Sequence, residues 1–477
     1  MTERILPWHN GGELSPLLDT LRDIVGPAHV LTDPSSMQGY VTDWTGRWAG
    51  SAVAVVRPAS TAEVSSVAAV CFDAHVPITP QGGNTGLVGG GTPHPGSILL
   101  STRRLDHLES IDPVGRTIAA GAGVTVARAD QAAAEYGLRF AVDLASKESA
   151  TLGGIVATNA GGSRMIRFGD TRSQLLGIEA VLADGAVLSR WNPLVKDNIG
   201  YDLPGLLAGS EGTLAVITKV LMKLATPAAD ASVFLAGVAT VDDALRLHEL
   251  ISRNGLIVEA AELMTANGVD LVCRHTAVGS PFDTQFPFYA LFEVSAHRAA
   301  EDSLVEILAA GADLVEDVAI ERRPARRLWQ LRESHTETMG RESSTPVIKL
   351  DLSIPLGSMS SFVRDVESAF ARRYPAVRPI MFGHFVDGNI HINVLDAPPA
   401  DVEQITDAVF AMVAAHNGSI SSESGIGRAK NQWVHLGRTA LDVGIMRSIK
   451  SAMDPRHILN PGVLFPALGK PNSPPNW

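Results

Sequence analysis

The sequence predicts an α+β fold in two bodies, and three observations carry that prediction. Residues 51–79 read as strand, helix, strand, and Asp184-Gly185 later joins two strand-like runs by a tight turn. After TPAAD, at residues 226–230, the strand-helix-strand order begins again. An all-helical bundle would not alternate in this way.

Each element has a local reason. Residues 1–47 read as an N-terminal helical segment running into a loop with Tyr40, Trp44 and, just beyond, Trp48. SAVAVV at 51–56 is a short apolar strand punctuated by Pro58, and Ser60 with Glu63 makes an S-x-x-E box that starts the helix TAEVSSVAAVCFDAH. VPIT completes the unit. ILLSTRRL, TIAAGAGV and IEAVLADGAVLSR read as further strands around the helical TVARADQAAAEYG, and LAVITKVLMKL closes a first domain at 48–224. In the second domain, 225–430, SVFLAGV, LIVEAAEL, FYALFEVSA and LVEDVAI are strands separated by the helical DDALRLHELISRNG and AAEDSLVEILAAG. Such a pattern suits an antiparallel sheet acting as a cap. The last segment, 431–477, begins helical and then, with Pro and Gly in DPRHILNPGVLF, returns to the first domain.

Composition removes several function classes. With 477 residues and 45% hydrophobic content the chain can bury large cores. Lys plus Arg is 39 against 51 Asp plus Glu, a net charge of -12, so extended nucleic acid is not an expected partner. The only cysteines, Cys71 and Cys273, make no disulfide framework. The cytoplasm is the expected compartment, since no basic-then-apolar leader opens the chain and no apolar run reaches a membrane-spanning length.

Glycine is concentrated where backbone could approach a ligand. PQGGNTGLVGGG, 80–91, carries Gly82, Gly83 and Gly86 beside Pro80, Asn84 and Thr85, so successive N–H groups can converge on phosphate oxygens. It lacks the G-K-[ST] of a P-loop and the dinucleotide G-x-G-x-x-G, and alone it reads as either a phosphate cradle or a structural loop. A second loop, ATLGGIVATNAGGSRMIRFGDTRSQL, places Gly153, Gly154 and Gly161 around Thr151, Thr158, Asn159, Arg164 and Arg167. Two such loops can grip separate parts of one dinucleotide; the competing reading is a pair of irregular crossovers with solvated arginines.

The ordered motifs PQGGNTGLVGG, ATLGGIVATNAGG, LLAGSEGTLAVIT, LWQLRE, GHFVDGNIHIN and ILNPG resemble the vanillyl-alcohol-oxidase type of FAD flavoprotein, in the branch of D-lactate and D-2-hydroxyglutarate dehydrogenases. The resemblance implies a two-part FAD-binding domain with a ferredoxin-like substrate cap. It implies that Gly82–Thr85 and Thr151–Asn159 hold the pyrophosphate and neighbouring flavin, with the Glu211–Ile217 segment and Asn460 also against the cofactor. PQGGNT offers no histidine for a covalent link, so noncovalent FAD is expected.

MFGHFVDGNIHINVL carries the next expectation. If Asp387-Gly388 closes a two-residue hairpin loop, His384 faces His391 and Asn393 follows on the same face. Two imidazoles can ligate Zn²⁺ but need further ligands, and a hydrogen-bonded pair or a metal-free base are the competing readings. The resemblance supplies Glu423 as third ligand, making a His₂Glu site for Zn²⁺, with Mn²⁺ or Fe²⁺ as alternatives. It also exposes a departure: relatives carry Glu-His-Gly, with the histidine as substrate base, where this chain has Glu423-Ser424-Gly425. Three explanations stand open: ionisation of metal-held substrate by another route, His335 approaching from the cap, or altered or absent oxidation.

ERRPARRLWQLRESHTETMG clusters Arg322, Arg323, Arg326 and Arg327 ahead of Arg332. Helical spacing puts Ala325, Leu328, Trp329 and Arg332 around one face and Arg323 with Arg327 on another. The fork of Arg332 could hold a carboxylate in two parallel bonds or tie two elements together. The resemblance assigns Arg332 to a small carboxylate substrate, with Thr336 and Lys349 nearby and Asn393 among the oxygen-stabilising groups. It implies oxidation of a D-2-hydroxy acid such as 2-hydroxyglutarate, lactate, malate or glycolate, with a quinone, an electron-transfer flavoprotein or oxygen as final acceptor. The alternatives are alkyl-glycerone-phosphate chemistry on the same fold and a flavin-binding electron-transfer or interaction protein without turnover.

Overall fold

The computed structural model describes residues 14–228, 230–296, 300–322 and 326–465. Part of the N-terminal segment, Arg323 with its neighbours Pro324 and Ala325, and the side chain of Arg322 lie outside the described residues. The chain divides into two units, the first running to Ala160 and taking in Asp170–Thr226 and everything from Glu423 on. The second comprises Gly161–Gly169 and Pro227–Ser422. The glycine-arginine segment around Arg164 therefore belongs to the second unit.

The first unit holds two sheets. One contains β1 (Val30–Leu31), β2 (Ala52–Val56), β3 (Ile78–Gln81) and β4 (Ser97–Ser101) in the order β1-β2-β4-β3. β2, β3 and β4 run parallel, which explains why AVAVV is apolar throughout rather than alternating. The helix Thr61–Asp73 covers it with Val64, Val67, Ala68 and Cys71, at helical spacing. Its start is capped as expected, Ser60 Oγ accepting from Glu63 N at 3.2 Å, but Glu63 Oε2 reaches back to Ala59 N at 2.8 Å, one residue before the N-cap N–H of a full box.

The other sheet has β5 (Leu108–Asp112), β6 (Thr117–Gly121), β7 (Arg139–Phe140), β8 (Leu175–Val181), β9 (Val187–Arg190) and β10 (Val216–Ala225). Its order is β5-β6-β10-β8-β9, with β7 also on β10. Gly185, at φ +88°, turns the β8–β9 hairpin where the sequence places it, and Asp184 Oδ1 accepts from Ala186 N.

The C-terminal segment returns to this unit by a short parallel bridge, Ile78 with Leu459. Ile78 N donates to Ile458 O and Asn460 N to Ile78 O, both at 2.8 Å. An ion pair buried inside the unit fixes the return: Lys450 Nζ meets Asp454, which has no solvent exposure, and donates to Thr213 O at 2.7 Å and Leu459 O at 2.8 Å.

The second unit is one seven-stranded antiparallel sheet of β11 (Asp230–Val238), β12 (Ile257–Thr265), β13 (Phe288–Ala296), β14 (Asp317–Arg322), β15 (Ile348–Ser353), β16 (Arg378–Gly383) and β17 (Asn389–Leu395). The order β14-β11-β13-β12 is that of a ferredoxin-like β-α-β-β-α-β unit, with helices Val241–Arg253 and Ala300–Ala310 as its crossovers. β16, β17 and β15 extend it through a short pairing of Leu263–Met264 with Phe382–Gly383.

Replacing Asp454 by Ala strips a buried lysine of its counter-ion and should cost about 3–5 kcal/mol of stability. Thermal or urea unfolding of D454A beside the wild type checks this. Equal midpoints would show that the pair holds nothing in place.

Candidate active site

In the first unit the two glycine loops meet. A Cβ on Gly82 would stand 2.3 Å from Thr151 Oγ1, and one on Gly83 would stand 2.0 Å from Ser149 O. Only glycine lets these strands of backbone pass so closely. Gly153 packs on Ala122, while a Cβ on Gly86 would meet nothing within 4 Å. Trp44 Nε1 donates to Thr85 O, and Asn84, at φ +58°, donates through Nδ2 to Thr42 O. Thr158 Oγ1 bonds back to Gly154 O in its own helix. Asn159 ends that helix at φ +49°, with Nδ2 on Asp170 and Oδ1 accepting from Arg172 N.

Glu211 and Asn460 lie beside these loops. Glu211 is buried at φ +51°, and its carboxylate accepts from Ile426 N at 2.9 Å and Gly427 N at 2.7 Å. Burial pushes its pKa up to about 7 despite those bonds. Asn460, at φ +44°, donates through Nδ2 to Gly90 O and Glu211 O. Ile217 is a buried residue of β10, and Gly161 lies in the second unit.

Thr151 Oγ1, Gln81 Oε1 and Asn460 Oδ1 are buried with no hydrogen-bond partner among the described residues. Leaving each unpaired costs free energy. A hydroxyl donor with two amide acceptors matches a ligand that combines oxygens with ring or ribose N–H and O–H groups, as a flavin dinucleotide does. Phosphate alone could not satisfy the two amide oxygens.

The second unit contributes a charge cluster. Glu262 lies on β12 with 1% exposure, its Oε2 2.6 Å from Arg332 Nε and its Oε1 2.8 Å from His384 Nδ1. Burial raises its pKa, but Arg332 and then His384 outweigh that and hold it at about 2. Arg332, on the helix Arg326–Glu333, also lies over the Phe382 ring, 4.5 Å from its centre. With Nε engaged, its Nη1 and Nη2 have no hydrogen-bond partner among the described residues.

The hairpin differs from the expected one. Phe385–Asp387 forms a short 3-10 turn closed by Gly388 at φ +90°, so the loop is longer than two residues. The register therefore shifts by two: His391 opposes Phe382 on β16 and Asp351 on β15, not His384. The shift is driven by burying Phe385 and Val386. Being even, it keeps the faces, so Phe382, His391 and Asp351 form one row, with Ile380, Asn393 and Lys349 in the next. The His384 and His391 rings still approach to 6.1 Å between centres. Burial pushes His391 down to about 4, which leaves a neutral imidazole.

Ser353 Oγ and Ser422 Oγ are 2.7 Å apart at the edge of β15, and Glu423 follows directly in the chain. One ligand atom each from His384, His391 and Glu423 lie within 4.8 Å of one another. A carboxylate oxygen 2.8 Å from His384 Nδ1 favours the proton on that nitrogen, which leaves the lone pair a metal requires on Nε2. His391 Nδ1 is 3.6 Å from Asp351 Oδ1, so this donor set fits a divalent cation.

Other expected residues lie elsewhere. His335 has no exposure, and its Nδ1 contacts Leu331 O and Arg332 O while Nε2 packs on Gly268. Burial, then Arg332, push its pKa down to about 3, and its Nε2 is buried with no hydrogen-bond partner among the described residues. Thr336 is exposed. Arg164 is buried and forks onto buried Glu293 at 3.1 and 3.3 Å, whereas Arg167 pairs with Glu259 but keeps an exposed side chain. Arg327 donates to Gly279 O and Ser280 O. Glu262 and Asp351 escaped sequence reasoning, although a charge inside the apolar LIVEAAEL was a signal.

Comparison with known proteins bears on these two constellations. A model described as "FAD binding domain" matches residues 52–189, and one described as "FAD linked oxidases, C-terminal domain" matches 227–464. D-2-hydroxyglutarate dehydrogenase of Xanthomonas citri pv. viticola is 34% identical, covering 96% of this chain and 99% of that protein. The chain belongs to this family of FAD-linked oxidases. It is an FAD-dependent dehydrogenase of the vanillyl-alcohol-oxidase type. The mitochondrial D-2-hydroxyglutarate dehydrogenase of Bos taurus is also 34% identical, over 93% of this chain and 82% of that one. Among solved structures, alkyldihydroxyacetonephosphate synthase superposes with TM-score 0.74 at 15% identity over 94% of this chain and 85% of that one. p-Cresol methylhydroxylase does so with TM-score 0.74 at 14% identity over 97% and 98%. These two show the shared fold. Among the described residues no helix is long and apolar enough to cross a membrane.

Gly83→Ala would drive a Cβ into the Ser149 carbonyl, which cannot swing aside. Purified G83A should carry much less flavin than wild type, read as the ratio of flavin to protein absorbance. A wild-type ratio would contradict the cradle.

Proposed function

We propose that this dehydrogenase oxidises a small D-2-hydroxy acid to the 2-oxo acid, using noncovalent FAD. The observation carrying the proposal is the gathering of a carboxylate-binding fork, Arg332, and two imidazoles, His384 and His391, around one buried carboxylate. The relatives named D-2-hydroxyglutarate dehydrogenase support the substrate class and its handedness. FAD supplies the two-electron acceptor for the hydrogen on C2, and a cation held by His384, His391 and Glu423, zinc before manganese or iron, supplies a Lewis acid for the C2 oxygen.

The chain's own groups do the rest. Nη1 and Nη2 of Arg332 take the C1 carboxylate in a two-pronged bond, which fixes the acid's orientation. Asn393 and Lys349, paired across β17 and β15 in the row next to His391, stabilise substrate oxygens. Oxidation requires C2 within about 3–3.5 Å of the accepting atom. Ser424 cannot act as an imidazole base; a cation held by His384, His391 and Glu423 would ease loss of the hydroxyl proton, with water left to carry it away. Cys71 and Cys273 are free thiols, which supports a reducing compartment such as the cytoplasm.

Arg332→Lys keeps the charge but loses the fork, and should lower kcat/KM for 2-hydroxy acids by about 10- to 100-fold, the worth of one charged hydrogen bond. Anaerobic loss of oxidised-flavin absorbance measures it, and an unchanged constant would remove Arg332 from the site. Ser424→His should speed the same bleaching, with a ceiling of about 10²–10⁴-fold for a well-placed base. Unchanged kinetics would show that position 424 lacks nothing.

A further inference from the structure

We propose that Glu262 is the positioning residue that sets both the metal-binding histidine and the substrate-binding arginine. The inference rests on the function proposed above and goes beyond it, since it assigns a residue that touches neither substrate nor cation.

Glu262, 1% exposed on β12, turns one oxygen to each of two side chains: Oε2 accepts from Arg332 Nε at 2.6 Å, and Oε1 lies 2.8 Å from His384 Nδ1. The first contact fixes the guanidinium. With Nε tied down and the Phe382 ring across its face, Arg332 can offer a ligand only its Nη1–Nη2 edge. That edge has the two parallel donors a carboxylate accepts. The second contact fixes the imidazole. The charge 2.8 Å from Nδ1 favours the proton there, which puts the lone pair on Nε2 and draws that edge of the ring toward β12. His384 leads a short 3-10 turn rather than a strand, so the sheet ladder does not hold it as it holds His391. One carboxylate therefore does for His384 what β15 and β16 do for His391.

The charge count points the same way. Replacement by glutamine keeps the shape, but its amide NH₂ must face one of two donors. Facing Arg332 Nε, it releases the guanidinium. Facing His384 Nδ1, it favours the tautomer with the proton on Nε2, which cannot bind a metal.

The test uses the flavin-loaded full chain after chelation, titrated with zinc alone against a chromophoric competitor, and then assayed for anaerobic flavin bleaching by D-2-hydroxy acids. Glu262→Gln is expected to keep wild-type flavin content, bind zinc about 10- to 100-fold more weakly and show a raised KM. Glu262→Asp, which keeps the charge and both acceptor oxygens on a shorter arm, is expected to recover part of the zinc affinity. It also decides the matter if the glutamine variant does not fold. Wild-type zinc affinity in the folded variants, even with a lowered melting temperature, would overturn the assignment. Wild type that binds zinc but is bleached by no 2-hydroxy acid would overturn the proposed function while leaving the zinc comparison to judge Glu262. Wild type that binds no zinc would overturn the assignment outright.

Discussion

A carboxylate inside a sheet is tolerated only when cations or donors meet it, and Glu262 is such a carboxylate. Stripped of Arg332 and His384, its burial would push it toward the neutral acid; with them it is held at about 2 and stays charged. The dependence runs both ways. Arg332 and His384 come from a helix and a turn far apart in sequence, and the charge on β12 is what brings them to fixed places. The places of the Arg332 guanidinium and the His384 ring thus both follow from one desolvated charge.

The first unit works by backbone shape instead. Asn84, Asn159, Glu211 and Asn460 all hold positive φ, a conformation costly for residues other than glycine. All four lie in the segments that the FAD-binding resemblance marks. Strain of that kind persists only where surrounding contacts impose it. Here those contacts are identifiable: Asp170 and Arg172 on Asn159, Ile426 and Gly427 on Glu211, and Gly90 on Asn460. Behind them the Lys450–Asp454 pair ties the Thr213 turn to Leu459, so the C-terminal return is a structural member of the cofactor site.

Much of this was legible because it depends on short-range chemistry. The S-x-x-E cap, the Asp184-Gly185 turn, the glycine loops and the ferredoxin-like alternation each declare themselves within a few residues. The His384–His391 proximity was legible, but its register was not. Asp387-Gly388 has the composition of a two-residue loop, yet Phe385 and Val386 gain more by turning into the core than by pairing. Glu262 was out of reach for a different reason, since a strand glutamate states that something must neutralise it without saying what. His335 is buried with Nδ1 against its i−4 and i−3 carbonyls, and nothing in LRESHTE distinguishes a core imidazole from a catalytic one.

In the proposed reaction a 2-hydroxy acid held by its carboxylate gives up the hydrogen on C2 to the flavin. Mixing the flavin-loaded protein without oxygen with saturating D-2-hydroxyglutarate, once with ordinary hydrogen and once with deuterium at C2, tests it directly. Slower bleaching of the flavin by the deuterated acid, with the L enantiomer inert, is the predicted result. Bleaching at equal rates by both isotopic forms, or no bleaching by any 2-hydroxy acid of either hand, would contradict it.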